Sequence, residues 1–242
     1  MTMDLIQLDK EIILENENSY KLNLMQKVIL GNSFELITDI VREAENPIIV
    51  TDPPFNIGYH YDEYSDRKNE DDYYSDLGEM FQLCPCVVIH YPESLYKISY
   101  QMGMFPERVV SWVYNSNTGK QHRDIAYFRV TPDFKGLGEY KNPNDKRIKE
   151  RIARGLKPRG YDWIYCDQVK NVSKDKTEHP CQMPIKVMDY VIATLPKDST
   201  IIDPFAGSGT TLLAAKNAGL NYVGIEMSEK YVSIINERLK NI

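Results

Sequence analysis

Two stretches of this chain combine residue types whose order and spacing could do chemistry. One is Ile201-Ile202-Asp203-Pro204-Phe205-Ala206-Gly207-Ser208-Gly209-Thr210-Thr211, running into Leu212-Leu213-Ala214-Ala215. A short strand enters a glycine turn and a helix leaves it. Glycine lets the backbone take positive φ and lie close to a ligand. The turn's amides and the helix N-terminus favour an anionic group. No Gly-Lys-Ser/Thr follows, so this is not a Walker loop, and Leu212 stands where a dinucleotide fingerprint has its third glycine. Tyr222-Val223-Gly224-Ile225-Glu226 then ends a second strand in a carboxylate. Glu226 follows Gly209 by 17 residues, close to the roughly 20-residue spacing of an acid that grips ribose hydroxyls. The implied ligand carries a ribose and an anionic group without a required pyrophosphate. S-adenosylmethionine fits: its carboxylate meets the turn, its ribose meets Glu226, and Asp203 and Glu226 suit its positive sulfonium. A tight turn used only for packing competes, and the position of Glu226 favours the ligand.

The other stretch is Ile48-Ile49-Val50-Thr51-Asp52-Pro53-Pro54-Phe55. An apolar strand ends in a carboxylate, two prolines and an aromatic ring. The prolines fix φ and remove amide donors, which leaves rigidly aimed carbonyls. Asp52 accepts hydrogen bonds and Phe55 offers a stacking face, so the segment suits a planar group bearing an NH₂. The exocyclic amine of a nucleobase is a poor nucleophile because its lone pair is delocalised into the ring. Two acceptors, the Asp52 carboxylate and the Pro53 carbonyl, can hold both N–H bonds and leave the lone pair aimed at a cofactor methyl. The gain is in positioning and in stabilising developing positive charge. Taken alone, an Asp-Pro-Pro turn that merely closes a strand explains the segment equally well.

Strands that could position these motifs are apolar, β-branched runs bounded by turn residues: 28–30, 48–51, 87–90, 109–113, 126–130, 200–202 and 222–225. Helical periodicity predicts helices over 34–42, 73–83, 145–154, 184–195, 210–218 and 229–239. Pro184 suits a first helical turn, Gly219 a residue just past a helix end, and Ser228 a cap. Strands alternating with helices imply an α/β fold with a mostly parallel sheet. A segment rich in Lys, Arg, Gly, Asn and Pro breaks that rhythm, and it reads as an insert at 136–179 between catalytic segments 1–135 and 180–242. Only one strand follows the glycine turn, so the N-terminal half must supply the rest of the sheet.

The chain has 242 residues, 42% hydrophobic and 26% charged, which argues against a disordered or collagen-like class. No apolar run approaches the roughly 20 residues of a membrane span, and the first ten residues lack a basic region followed by an apolar stretch. A cytoplasmic setting with no membrane partner is expected. The four cysteines do not make a disulfide framework, and Cys84-Pro-Cys86 has the wrong spacing for a zinc knuckle, so no metal is expected. Net charge is −6, yet residues 101–180 hold 16 Lys/Arg against 10 Asp/Glu. A basic segment on an acidic body suggests a local polyanion contact, and a solvated charged loop reads as well on charge alone.

Together the two motifs resemble the amino-methyltransferase family that modifies exocyclic amines in DNA, at adenine N6 or cytosine N4. Asp52–Phe55 is similar to its catalytic D-P-P-[YF] motif, and Asp203–Thr211 to its D-P-F-x-G-S-G-T cofactor motif. His179-Pro180-Cys181-Gln182-Met183-Pro184 resembles its H-P-T-Q-K-P segment, with Cys181 and Met183 in place of Thr and Lys. Gly31-Asn32-Ser33 is a weaker match where the family has Gly-Asp. The resemblance spans most of 27–240 and follows the β-subgroup motif order. It implies a doubly wound, mostly parallel, seven-stranded sheet of the S-adenosylmethionine-dependent methyltransferase type, permuted, with a small basic insert. Asp52, Pro53, Pro54 and Phe55 are the implied catalytic residues. Asn32, Ser33, Asp52, Asp203, Phe205, Ala206, Gly207, Ser208, Gly209, Thr210 and Glu226 are the implied cofactor contacts. Both motifs would sit at the carboxyl ends of adjacent parallel strands.

The resemblance makes double-stranded DNA the partner, and the target base must leave the duplex to be reached. Lys141, Lys146, Arg147, Lys149, Arg151, Arg154, Lys157 and Arg159, with only Asp145 and Glu150 among them, form the target-recognition candidate. Residues 58–76 are acidic and aromatic and read either as a lid, with Tyr59, Tyr61 or Tyr64 stacking on the base, or as an exposed loop; His60 is not needed as a base. Trp112, Tyr114 and Trp163 read as packing residues. A motif with Asp first and Phe fourth implies adenine N6, with cytosine N4 the alternative. An RNA or protein-amide substrate, or a non-catalytic DNA-binding scaffold, is a more distant reading. A homodimer and a cognate restriction endonuclease are further partners the family suggests.

Overall fold

The computed structural model describes residues 26–58, 67–170, 173 and 176–240. Tyr59, His60, Tyr61 and Tyr64 lie outside the described residues. In chain order the elements are β1 (Lys27–Leu30), α1 (Ser33–Glu43), β2 (Pro47–Thr51), α2 (Glu70–Phe81), β3 (Cys86–His90), α3 (Pro92–Met102), β4 (Arg108–Val113) and β5 (His122–Phe128), then α4 (Lys146–Ala153), β6 (Trp163–Tyr165), α5 (Ile185–Ala193), β7 (Thr200–Asp203), α6 (Thr210–Asn217), β8 (Asn221–Glu226) and α7 (Glu229–Lys240).

The strands form one sheet in the order β1-β8-β7-β2-β3-β5-β4-β6. The pairs β1/β8, β8/β7, β7/β2, β2/β3 and β4/β6 are parallel, and only β5 runs against its neighbours. Central strands are buried on both faces, which is why their sequences read as continuous apolar runs. Successive side chains feed different cores. Ile48, Val50, Val87, Ile89 and Ile201 pack with Val187, Met188, Leu212 and Ile235 of α5, α6 and α7. Ile49, Val88 and Ile202 pack with Ile37, Leu77, Phe81 and Ile98 of α1, α2 and α3. The result is three layers, helices on both faces of a sheet.

The chain leaves β2 toward β3 on one side and leaves β7 toward β8 on the other. The carboxyl ends of β2 and β7 therefore meet at the point where strand order reverses, where open α/β sheets bind ligands. The N-terminal strand β1 completes the far side beside the last strand, with Leu30 opposite Glu226. This is the permuted arrangement that the motif order implies.

Four features depart from the sequence reading. The sheet has eight strands, because Trp163–Tyr165 within 136–179 pairs with β4; three residues are too few to show a period. Helix α3 has no counterpart in the periodicity, since Tyr96 and Tyr100 are large, apolar and exposed, although Pro92 at its start and Gly103 at its end mark it. Strand β5 begins at His122 and not Ala126. It stops before Arg129, whose φ is +56° and whose guanidinium donates to the Phe81 and Gln82 carbonyls at 2.7 and 3.0 Å. Trp112 and Tyr114 are buried as expected, but Trp163 is half-exposed and stacked on Tyr161. Among the described residues, no helix is long and apolar enough to cross a membrane.

Candidate active site at the carboxyl edge of the sheet

A cavity of about 460 Å³ opens where β2 and β7 end. It is lined by Asn32, Ser33, Asp52, Pro53, Pro54, Phe55, Asp203, Phe205, Ala206, Gly207, Ser208, Thr210 and Glu226. Every catalytic and cofactor candidate except Gly209 thus meets in one space. Gly209 sits at the start of α6 with φ +75°, and a Cβ there would press on Ile235 at 2.7 Å, so it serves the turn's packing against α7.

Adjacent strand ends are stitched together. Thr51 Oγ1 donates to Asp203 Oδ1 at 2.8 Å, and the same oxygen accepts the Phe205 amide at 3.1 Å. Asp203 is buried and its carboxyl is raised, chiefly by burial. Its bonds are internal, so it shapes the turn as well as lining the cavity. Glu226 closes the other side: Oε2 accepts the Gly207 amide at 2.8 Å and Oε1 the Ser228 amide at 2.9 Å. Burial raises this carboxyl too, and the backbone donors oppose the rise. Each oxygen keeps a second lone pair for a hydroxyl donor. Gly207 has φ +52°, and a Cβ there would lie 2.9 Å from the His179 ring; only glycine suits that place. Asn32 caps α1 by accepting the Phe34 amide at 3.1 Å, and the Ser33 hydroxyl donates to the Pro204 carbonyl, tying α1 to the turn.

The Asp-Pro-Pro-Phe segment is braced by residues that sequence reasoning did not single out. The Tyr91 amide donates to His90 Nδ1 at 2.8 Å, so Nε2 carries the proton. Nε2 faces the Tyr73 hydroxyl at 3.1 Å, and that hydroxyl donates to the Pro54 carbonyl at 2.5 Å. Burial holds His90 neutral, with its value lowered to about 3. Its ring stacks on Phe55 at 4.2 Å, and Tyr91 meets Phe55 edge-on at 5.1 Å. Arg123 of β5 donates from Nη1 to Asp52 Oδ2 at 3.2 Å. Burial pushes the Asp52 carboxyl up to about 6, with Arg123 opposing and Asp203 adding to the rise. Asp52 Oδ1 and Arg123 Nε are buried and have no hydrogen-bond partner among the described residues. The signal for Arg123 was a charged pair, Arg123-Asp124, next to a buried strand core, but its strand was placed four residues too late.

The eight basic candidates lie elsewhere. Helix α4 is capped by Asp145 and buries none of its residues, and Lys141, Lys146, Arg147, Lys149, Arg151, Arg154, Lys157 and Arg159 are all exposed. Lys141 lies over Tyr161, Arg151 over Tyr140 and Arg159 over Phe134, so three of them rest partly on aromatic rings.

A family model described as DNA methylase, of the N6/N4 methyltransferase type, matches residues 46–237. The chain belongs to this N6/N4 DNA methylase family. The matched range runs from β2 into α7 and takes in both motifs. The methylase is 25% identical over 248 residues to the DNA adenine methyltransferase YhdJ of Escherichia coli K12, an alignment covering 90% of this chain and 83% of that protein. Its fold is similar to the M1.HpyAVI–SAM complex, with TM-score 0.59 and 20% identity over 88% of this chain and 98% of that one. It is also similar to the PvuII cytosine-N4-specific DNA methyltransferase, with TM-score 0.62 and 16% identity over 88% and 85%. The structural likenesses establish a shared fold, and the neighbours include enzymes named for either base.

Proposed function

We propose that this methylase transfers a methyl group from S-adenosylmethionine to the N6 amine of an adenine turned out of duplex DNA. The observation that carries the reading is Asp52: a largely buried carboxylate whose buried Oδ1 is unpartnered among the described residues, beside the glycine turn at the strand crossover. The residues present suit the cofactor. Glu226 and the Gly207–Thr210 turn offer a carboxylate and a helix N-terminus to its ribose and amino-acid portions, in a cavity of ordinary ligand-binding size. S-adenosylmethionine, when bound, supplies an electrophilic methyl group on a positive sulfur.

The chain's part is acceptance and alignment. Asp52 Oδ1 and the Pro53 carbonyl accept the two N–H bonds of the amine, which withdraws its lone pair from the ring and points it toward the cofactor end of the cavity. The Tyr73–His90 chain takes up the Pro54 carbonyl, so the Pro53 carbonyl is the one left for substrate. Asp52 is ionised at neutral pH and stabilises the positive charge that develops on nitrogen. It is basic enough to receive the proton that the methylated amine releases. Lys141–Arg159 meets the phosphates, and 136–179 forms the recognition segment between the catalytic segments 1–135 and 180–242.

Adenine is favoured by the leading Asp of the motif and by the similarity to a DNA adenine methyltransferase over most of both chains. Cytosine N4 is the second reading, since its amine offers the same donors to the same acceptors. The test is transfer from labelled S-adenosylmethionine to mixed-sequence duplex DNA, followed by digestion and mass spectrometry of the nucleosides. N6-methyladenine is the expected product, lost in Asp52→Ala while cofactor binding persists. N4-methylcytosine would replace the base assignment and keep the site. Near-full activity of Asp52→Ala would overturn the catalytic assignment.

A further inference from the structure

Arg123 holds both contacts that a target base requires. Its guanidinium donates to Asp52 Oδ2 at 3.2 Å, as the exocyclic amine must donate to that carboxylate. Its central carbon lies 4.6 Å from the Phe55 ring centroid. Phe55 has two faces. His90, buried and fixed by Tyr91 and Tyr73, stacks on one at 4.2 Å, Tyr91 meets the ring edge-on, and the Arg123 guanidinium also lies over the ring. The amine would use Asp52 Oδ1 and Arg123 uses Oδ2, so the conflict is at Phe55, where a base stacked on the ring would meet the guanidinium in this position. The guanidinium is itself planar and delocalised, and it donates through N–H groups, so it resembles the amine-bearing edge of a nucleobase in shape and bonding.

We propose that in the free methylase the Arg123 guanidinium takes the place of the target base and withdraws when the base enters, an inference that rests on the nucleobase-amine reading above. Its bonding is consistent with a temporary tenant. The guanidinium also meets Tyr91, Tyr114 and Trp112, yet one of its buried donors, Nε, has no partner among the described residues, an exception in a folded interior. While seated, Arg123 keeps Asp52 ionised in a buried place. A base that enters brings its amine to Oδ1 as Arg123 leaves Oδ2, so the carboxylate keeps a donor.

The two states differ in what faces Asp52. In the free enzyme these are Arg123 from β5 and Asp203 from β7, with Glu226 at the end of β8, Lys68 before α2 and Tyr91 after β3 lining the same cavity. In the complex Arg123 is gone and the other groups stay. The pH dependence of kcat/KM reports the free enzyme, and that of kcat reports the complex.

The experiment measures both profiles for the whole enzyme and for Arg123→Met, Arg123→Gln and Arg123→Lys, from about pH 5 to 9, with duplex DNA as substrate. Arg123→Met should move the acid limb of kcat/KM up by about one pH unit or more, and leave the acid limb of kcat where the wild type has it. Arg123→Lys, which keeps the charge, should return the kcat/KM limb toward its wild-type place. Anisotropy with a labelled duplex and no cofactor should show tighter DNA binding by Arg123→Met, because no tenant must be displaced. Arg123→Gln removes the charge but keeps a planar head, and it gives the same readings should the methionine variant fail to fold. Both limbs moving together would overturn the proposal, since Arg123 would then stay beside Asp52 in the complex. Weaker DNA binding by the variants would overturn it too. A wild type that methylates neither adenine nor cytosine defeats the underlying reading instead, and that outcome is separate from a methylating wild type whose two limbs shift as one.

Discussion

Replacing Asp52 by asparagine should stabilise the fold at pH 8 while removing methyl transfer. The carboxyl rises from 3.8 to about 6 in the folded protein, mainly through burial, with Arg123 opposing and Asp203 adding to the rise. A folded-state value above the unfolded one means that the protonated form favours the fold. That contribution is complete below about pH 3.8 and is lost as pH rises through about 6. At about 1.4 kcal/mol per pH unit, the ionised Asp52 costs the native state ~3 kcal/mol near pH 8. Asparagine has the shape of the protonated acid and never carries that cost. Arg123 loses its carboxylate in either case, so the comparison already includes that loss. For a chain of this size about 1 kcal/mol moves Tm by roughly 2–4 °C, so Asp52→Asn should melt about 6–12 °C above wild type near pH 8. Near pH 4 most of that gap should close, because wild-type Asp52 is then largely protonated. Thermal unfolding of both proteins at the two pH values isolates the difference, since every other titrating group cancels. A variant equally or less stable at pH 8, or a gap unchanged at pH 4, would refute the reasoning. Methyl transfer by the variant should fall about a hundredfold or more.

Other outcomes follow from the same geometry. Gly207→Ala places a Cβ 2.9 Å from the His179 ring at a residue with φ +52°; it should cost about 1–2 kcal/mol of stability and weaken S-adenosylmethionine binding at least tenfold by calorimetry. Tyr73→Phe removes the hydroxyl between His90 and the Pro54 carbonyl; a loss of about 1–3 kcal/mol in denaturant unfolding should accompany a lower kcat, with cofactor affinity unchanged. Changing Lys146, Lys149, Arg151 and Arg154 together to glutamine should leave cofactor binding intact and flatten the salt dependence of DNA affinity by roughly 0.9 in log–log slope for each phosphate no longer neutralised. An unchanged slope would place the DNA on another surface.

How much of this was legible in the chain depends on the range over which the signal acts. Both chemical motifs are local: a strand, a turn and a cap occupy a dozen residues, and Gly207, Gly209, Pro53 and Pro54 announce backbone geometry by their own stereochemistry. Among the described residues, the helices carried a 3.6-residue period strong enough to place six of the seven. The missed helix, α3, presents Tyr96 and Tyr100 to solvent and so blurs its own period, and β6 is too short to have one.

The sequence alone determined which residues could do the chemistry, because the requirements of that chemistry fall within single turns of chain. Tertiary structure decided what stands beside them. Arg123 is 71 residues from Asp52 and reaches it only because β5 enters the sheet antiparallel, one strand beyond β3. Tyr73 and His90 come from a helix and a strand that no spacing links to Pro54. The raised carboxyl of Asp52 is likewise collective: burial and Asp203 of β7 raise it, and Arg123 of β5 opposes the rise. Strand order is set by which apolar faces can be buried together, a property of the whole chain, and the neighbours that tune the site are inherited from it.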